Sequence, residues 1–463
     1  MTPLVYITMF GWIPFVLYLF TKFPPQRSVV ISFVAAWLFL PLAEFHIPGI
    51  PAYTKMAATC YGVIIATLVY DVDRLRSFRF GWLDIPMLIW CLCPLASSVT
   101  NDLGFYDGFS ASFTQTVAWG LPYFLGRLYF SNLEGLRQLA IGIFAGGVVY
   151  IPFCLFENVK GPLLHLKLYG FNAFEDWSQA RRYGGWRPVV FMNHGLMVGV
   201  WMMAATLIGI WFWRTGTLKK LWNIPVSQLV LMLLITFILA RSTGAYILFI
   251  LGLVFLFAGK WLRTAIPLLI LLIGIPIYLY QGVTGTFTSD QIIAGLSQVL
   301  SEDRVGSLQF RFKNEEILGA KARQKMIFGW GGYGRALVFD EYGHQTTIPD
   351  SLWIITFGNR GVVGLVSITS VLLLPVFIFI TLRYRANLWT HPKVTSAAVL
   401  AVILCLYMLD CVLNAMVNPM FSLTSGGISG LVMGINNNQV KSKNSPSSSR
   451  RRSLPQQRQK QPR

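Results

Sequence analysis

Long apolar segments separated by short polar connectors make up most of the chain. Runs of about 17–25 apolar residues are typical of membrane-spanning helices, and such runs recur from one end of the sequence to the other. The pattern predicts thirteen spans, at residues 3–21, 28–43, 53–70, 82–99, 110–128, 136–157, 188–213, 223–240, 244–259, 264–281, 350–382, 395–416 and 419–435. If the first or second run lies at the membrane interface instead, twelve remain. We therefore expect an all-α polytopic membrane protein with about 12–13 transmembrane helices.

One polar segment, at residues 282–349, is much longer than the other connectors. It separates N-terminal spans within residues 1–281 from C-terminal spans within residues 350–435. At its start, Ser289–Ser301 places its apolar residues on one helical face. This spacing predicts a short amphipathic helix lying against the membrane surface.

A second helical pattern in the same loop begins after Gly306. Arg311 and Glu315 are four residues apart in it, which is the spacing of an ion pair along a helix. We therefore expect the long loop to be helical in part, with charged residues on the helix face that is not apolar.

Composition agrees with a membrane protein. The 463 residues are 54% hydrophobic and 12% charged, whereas soluble domains carry about 25% charged residues. Much of the net charge of +19 lies in residues 436–463, which contain eight Lys or Arg and no acid. This segment is predicted to be a disordered tail. It either stays near anionic lipid or is simply solvated.

Basic residues predict the orientation of the spans, because cytoplasmic loops are enriched in Lys and Arg. The basic connectors lie at residues 22–27, 74–79, 127–137, 214–220, 260–263 and 383–393. All of them fall on one side of the predicted topology, together with the tail. That side is predicted to be cytoplasmic. The long loop is then external, or periplasmic in a Gram-negative bacterium.

Several arginines lie on the predicted external side or near it. Arg187, Arg311 and Arg335 are in external segments. Two explanations for basic residues on that side are open: they bind an anionic partner, or a long loop crosses the membrane regardless of its charge. Arg241 interrupts an apolar stretch between two basic connectors, so the chain is expected to turn there. The flanking arms are too short to reach the outer surface. Arg241 should therefore face protein or a cavity, unless it snorkels to the headgroups.

The segment FGWGGYGRALVFDEYGHQTTIPDSLW contains the most candidate chemistry. Its glycine-rich turn would allow close approach to an anion or a sugar, with Trp330 and Tyr333 stacking on the ring; glycine is also the ordinary end of a helix. The turn lacks the Lys-[Ser/Thr] ending of a nucleotide loop. The candidate bases are Asp340, Glu341, His344 and Asp350. Asp350 opens the next span, where it could equally be a helix cap.

The order of these motifs resembles the O-antigen ligase and O-antigen polymerase family of bacterial membrane glycosyltransferases. The matching pieces are ARSTGAY, FRFKNEE, FGWGGYGR and PDSLWIITFGNRGVVGL, all within Leu229–Leu374. The resemblance implies transfer of a glycan from an undecaprenyl-diphosphate carrier to lipid A-core or a growing polysaccharide. It places this reaction at the outer face of the inner membrane. It implies no metal, no cofactor and no nucleic acid, with polysaccharide-assembly proteins as candidate partners.

The resemblance implies roles for Arg241 and Arg311, and the chemistry of the reaction suggests roles for other residues. Arg241 and Arg311 would bind the diphosphate, with Arg335 and Arg187 as further candidates. A carboxylate or imidazole would take the proton of the acceptor hydroxyl, with Asp350 as first choice and His344 as second.

The chain departs from the family at one place, and other functions stay open. Many ligases carry a His-Asn pair where this chain has Asp350-Ser351. This difference leaves the base open and weakens ligase relative to polymerase. The alternatives are a transporter of an anionic or lipid-linked substrate and a non-catalytic assembly subunit.

Overall fold

A computed structural model describes residues 1–46, 51–172, 180–287, 293–294, 297 and 302–443. Most of the predicted amphipathic helix at Ser289–Ser301 and the tail from residue 444 onward lie outside the described residues. The described part is mostly helical with little sheet, as the prediction of an all-α protein requires.

The described residues form helices of very different lengths. They are α1 (Pro3–Lys22), α2 (Pro25–Phe39), α3 (Lys55–Tyr70), α4 (Val72–Arg76), α5 (Ile85–Val99), α6 (Phe105–Gln115), α7 (Leu121–Tyr129), α8 (Leu133–Lys160), α9 (Leu164–Tyr169), α10 (Gly195–Thr215), α11 (Val226–Leu239), α12 (Thr243–Phe257), α13 (Ile266–Thr284), α14 (Glu302–Arg323), α15 (Leu352–Ile378), α16 (Thr395–Leu413) and α17 (Pro419–Lys443). Short 3₁₀ or π segments lie at Trp82–Asp84, Thr116–Gly120, Ala258–Leu262, Phe379–Arg383 and Ala386–Leu388.

Two small antiparallel hairpins accompany the helices. Strands β1 (Arg181–Arg182) and β2 (Gly185–Trp186) pair with each other, as do β3 (Lys220–Leu221) and β4 (Ile224–Pro225). In the first hairpin Arg181 faces Trp186 and Arg182 faces Gly185. This hairpin lies in the connector between α9 and α10, which carries Arg187.

Eight helices in the described residues are long and apolar enough to cross a membrane. Each of the thirteen predicted spans overlaps a helix or a pair of helices, but five have shorter or more polar counterparts. Three of these, α2, α3 and α11, are apolar and have 15, 16 and 14 residues. The α6–α7 segment is interrupted by a π turn, and α17 continues to Lys443, past the predicted end at residue 435. The chain is thus a polytopic membrane protein.

The centre of the bundle is formed by α10 and α16, whose side chains are nearly all buried. Helices α1 and α13 lie at the periphery and expose large apolar side chains such as Ile7, Ile270 and Tyr280. An apolar exterior around a packed interior is what a helical bundle in lipid requires, since lipid provides no hydrogen-bond partners for polar groups.

Helix α15 is broken near its middle. Gly361 has φ 63° and ψ −164°, so the helix has a kink there. The freed backbone carbonyls are bonded from outside: Gly358 O accepts from Trp330 N–H, and Asn359 O accepts from Gly331 N–H and from the Ser97 hydroxyl. The glycine-rich turn of the long loop is therefore attached directly to a membrane helix.

Candidate functional site

Arg241 lies in the turn between α11 and α12, where the sequence predicted that the chain reverses. It is half-buried and has a positive φ of 52°, a conformation that residues other than glycine adopt rarely. Its guanidinium packs on Gly185 in the β1–β2 hairpin, where a Cβ would overlap it. Nη1 donates to the carbonyl of Arg182 at 3.1 Å. The hairpin backbone thus holds Arg241 in place.

Arg187 lies beside this turn and is almost completely buried, with 2% of its surface exposed. Its Nη2 donates to the Ser242 hydroxyl at 3.1 Å, one residue beyond Arg241. The buried carboxylate of Glu157, on α8, accepts the N–H groups of Val189 and Val190 at 2.9 and 2.7 Å. Glu157 therefore fixes the connector that carries Arg187. Because Arg187 bonds to Ser242, the residue after Arg241, the two predicted arginines lie at the same turn.

Arg311 and Asp350 are brought together by α14, which packs against α13 and α15. Arg311 Nε lies 3.5 Å from Asp350 Oδ2, and both side chains are partly exposed. Arg311 Nη1 also donates to the carbonyl of Leu413 at 2.8 Å, at the end of α16. This arrangement places one predicted cation and one predicted base side by side at the start of α15.

Glu315 does not pair with Arg311 as the helical spacing suggested, because its carboxylate points into the packed side of α14. It accepts hydrogen bonds from the hydroxyls of Ser351 and Tyr278, at 2.6 and 3.0 Å, and from the Trp353 indole N–H at 3.0 Å. Burial raises the pKa of Glu315, although these bonds and Arg311 oppose the shift. Glu315 thus joins α13, α14 and the first turn of α15.

Asp350 does not cap α15. The helix begins at Leu352, so the N-cap residue is Ser351, and no side-chain cap bond forms there. The Ser351 hydroxyl is instead donated to Glu315. The carboxylate of Asp350 is 38% exposed and contacts Arg311. It remains accessible to a ligand at this end of the bundle.

His344 belongs to a different set of contacts. It is 79% exposed, and its Nδ1 lies 3.3 Å from Asp340 Oδ2. Asp340 Oδ1 also accepts the N–H groups of Tyr342 and His344, which closes a turn bridged by Phe339 and Gln345. These contacts join His344 to Asp340, whereas Asp350 is joined to Arg311.

The aromatic residues of the glycine-rich turn have different surroundings. The Trp330 indole N–H donates to the Lys321 carbonyl at 2.9 Å, and the Lys321 ammonium lies 4.7 Å from the ring centre. Tyr333 is 78% exposed, with φ 62°. Arg335 Nη1 donates to the Asn101 carbonyl at 3.1 Å, near the end of α5. Tyr333 is therefore the more available of the two predicted sugar-stacking rings.

Gly329 is required by the attachment of this turn to α15. It has φ 71°, and a Cβ there would lie 2.5 Å from the Arg360 nitrogen. The sequence predicted that the backbone of this turn would approach an anion or a sugar, but the N–H groups of Trp330 and Gly331 are donated to α15 carbonyls. These two amides hold the loop against the broken helix.

Two cavities lie close to these residues. An apolar groove of about 550 Å³ runs between α13 and α15 and is lined by residues such as Tyr280, Val283 and Val362. A more polar cavity of about 480 Å³ is lined by Lys55 and Asn193 on one side and by Ala415 and Val417 on the other. This second cavity thus lies between the connector that carries Arg187 and the α16–α17 connector, whose first residue, Asn414, accepts from Arg311 Nη1 at 3.4 Å.

Sequence reasoning missed two charged residues that shape this region, Lys55 and Glu157, and assigned the wrong partner to a third, Glu315. Lys55 and Glu157 fall inside or beside apolar runs, where a single charge has no periodic signal. Glu315 had one signal, its spacing from Arg311, but that spacing suggested a different partner. Their partners come from distant parts of the chain, and no local pattern shows such contacts.

No protein-family model matches the chain, and no curated protein matches it. The likeness to O-antigen ligases and polymerases therefore rests on the order of the motifs quoted above.

Proposed function

We propose that the protein is a membrane glycan transferase that moves a saccharide from an undecaprenyl-diphosphate carrier to an acceptor, as O-antigen ligases and polymerases do. The observation that carries this proposal is the Arg311–Asp350 pair, 3.5 Å apart at the start of α15. A cation for a leaving diphosphate and a carboxylate for an acceptor proton are the two groups that this reaction needs.

The reaction assigns a task to each group. The acceptor hydroxyl oxygen attacks the anomeric carbon, and its proton passes to Asp350, with His344 as the second candidate. The bond between the anomeric carbon and the diphosphate oxygen breaks, and its electron pair leaves with the diphosphate. Arg311, Arg241 and Arg187 stabilise that charge, with Arg335 in a weaker supporting role. Inversion at the anomeric carbon follows from a single displacement.

The surroundings of the pair support a lipid-linked donor. Tyr278 on α13 bonds to Glu315, four residues from Arg311 on α14, so α13 packs directly beside this part of the site. The same helix forms one wall of the apolar groove. A polyprenyl chain in this groove would bring its diphosphate toward the cationic end. Arginine suits that group because its planar fork can donate to two phosphate oxygens at once.

The proposal includes a location. Twelve or thirteen spans, a periplasmic long loop and a cytoplasmic tail would put the Arg311–Asp350 pair at the outer face of a bacterial inner membrane. Lipid A-core or a growing polysaccharide would be the acceptor there. The carrier's own diphosphate would drive the transfer without ATP.

The experiment uses purified full-length protein in nanodiscs with a lipid-linked oligosaccharide and a matching acceptor, and it measures the glycan product. Asp350→Ala should lower the rate by about 10²–10⁴-fold, the usual contribution of a general base. Arg241→Ala and Arg311→Ala should abolish detectable transfer. Each variant must insert and purify like the wild type.

A matched control pair is available in Arg76 and Asp73, which form an exposed ion pair of 3.3 Å far from this site in the sequence. Arg76→Ala and Asp73→Ala should keep wild-type transfer. Normal transfer by Asp350→Ala would remove that residue from the mechanism. Movement of the lipid-linked substrate without any glycan product would favour a transporter over a transferase.

A further inference from the structure

Lys55 is a charged residue buried in the protein. It is the first residue of α3 and is only 8% exposed. Its ammonium donates to the carbonyls of Trp37 and Phe191, both at 3.3 Å, and lies 4.9 Å from the Trp37 ring centre. These contacts anchor the side chain to α2 and to the connector before α10.

Nothing in the described part of the chain balances this charge. Every ion pair of 4.0 Å or less among the described residues involves other groups. Carbonyl oxygens and an aromatic face are neutral partners. The position is also unfavourable for a cation, because the N-terminus of a helix carries a partial positive charge. Burying a charge without a counterion costs several kcal/mol, so stability alone does not account for a lysine here.

The surroundings of Lys55 offer space for a ligand. Lys55 is one of the residues lining the polar cavity of about 480 Å³, and ligand pockets are commonly about 300–1,000 Å³. Glu44, Thr54 and Asn193 also line this cavity, and Trp37 provides an aromatic wall. Hydroxyl, amide and carboxylate groups bond to sugar hydroxyls, and an aromatic face packs on a sugar ring.

The charges in the cavity restrict what it would hold. Lys55 favours a negative group at the buried end, whereas Glu44 is exposed and opposes a second negative charge. A group with a single charge fits this pattern better than a diphosphate does. The described groups near Lys55 also include His165, whose pKa is lowered by burial and by the positive charge of Lys55.

We propose that this cavity is a binding site for an acidic sugar, with Lys55 as the partner of the sugar's carboxylate. This proposal rests on the proposed function, because the sugar would be a unit of the glycan that is transferred. The α16–α17 connector supports this placement, because it lines the cavity through Ala415 and Val417 while Leu413, just before it, accepts the Arg311 hydrogen bond. The chain would thus act preferentially on glycans containing a uronic acid.

The test measures binding, without any donor lipid. Full-length protein in phosphatidylcholine nanodiscs is titrated with sodium D-glucuronate or D-glucose, and binding is followed by saturation-transfer NMR. Inorganic phosphate has no carbon-bound protons, so its affinity is measured by its competition with glucuronate. Glucuronate should bind at least about tenfold more tightly than glucose, which corresponds to about 1.4 kcal/mol. Lys55→Met should remove this preference, while Lys55→Arg should keep most of it.

The control variant is Lys220→Met, which removes an exposed lysine in β3 and should leave glucuronate affinity unchanged. Equal affinity for glucose and glucuronate would overturn the proposal, as would unchanged glucuronate affinity in Lys55→Met. Phosphate binding as tightly as glucuronate would reduce the cavity to a general anion site and overturn the assignment to a sugar. If Lys55→Met does not fold, the wild-type comparison of glucuronate with glucose decides.

This outcome is separable from that of the transferase assay. Asp350→Ala should lose transfer but bind glucuronate normally. Glucuronate binding without any transfer by the wild type would overturn the proposed function alone. Transfer without selective glucuronate binding would overturn the acidic-sugar site alone.

Discussion

Removal of the Glu315 carboxylate should detach α14 from the start of α15. In Glu315→Ala, three donors lose their acceptor: the hydroxyls of Ser351 and Tyr278 and the indole N–H of Trp353. Ser351 is fully buried and Trp353 is 3% exposed, so water cannot replace the lost acceptor at those two. The residue next to Glu315, Glu316, is exposed and provides a matched control.

The size of the effect follows from these contacts. A buried donor without a partner costs about 1–3 kcal/mol, which gives roughly 2–6 kcal/mol for the two buried donors. In the wild type the buried carboxylate is itself costly to desolvate, which is why the pKa of Glu315 is raised. Removal of the carboxylate recovers that desolvation cost and so offsets part of the loss. We therefore expect a loss near the lower bound, about 2 kcal/mol, in the free energy that keeps α14 docked.

Hydrogen exchange of a single amide reports this docking. The Ile348 N–H donates to the Asn314 side chain on α14 at 2.9 Å, so it exchanges when the helix detaches. A loss of about 2 kcal/mol should accelerate its exchange roughly 30-fold in Glu315→Ala. Glu316→Ala should show no change. Unchanged exchange in Glu315→Ala would refute the conclusion that this carboxylate holds the loop helix in place.

Two further predictions concern stability. Gly329→Ala should destabilise the protein by about 1–3 kcal/mol, because its Cβ would meet the Arg360 backbone at a positive φ; thermal unfolding would show this, with Gly332→Ala, which has open space, as the control. Burial lowers the pKa of His165, and its Nε2 accepts the Leu42 N–H at 3.2 Å. Stability from the neutral ring should therefore be lost as the pH falls below about 6.5, the ordinary histidine value. His165→Gln should melt with a weaker pH dependence, and an equally steep one would contradict this.

Hydropathy alone predicted much of the fold. Apolar run length found the helices because lipid requires each crossing segment to satisfy its own backbone hydrogen bonds. The turn at Arg241 was also predictable, since the two flanking basic connectors require the chain to reverse between them. The kink at Gly361 was not predictable from the sequence. A glycine in an apolar run has no distinctive pattern, and the break depends on the turn that packs against it.

The candidate site was harder to predict for the same reason. Arg311 was singled out through the loop motif FRFKNEE and the family resemblance, and Asp350 through its position at the start of an apolar run, but their mutual contact depends on how α14 lies across α15. The partner of Glu315 was misjudged because helical spacing describes neighbours along one helix, whereas its bonds lead to two other helices. Lys55 gave no signal, since one lysine at a helix start resembles any connector residue.

The attachment of the glycine-rich turn to the break in α15 also limits how the chain can be recombined. Carbonyls of Gly358 and Asn359 are satisfied by this turn. A chimera that received the loop of another protein, but kept its own α15, would leave the buried Gly358 oxygen without this partner, at a cost of about 1–3 kcal/mol, and would leave Asn359 O with the Ser97 hydroxyl as its remaining donor. The loop and α15 should therefore be exchanged together whenever segments of this chain are recombined with those of another protein.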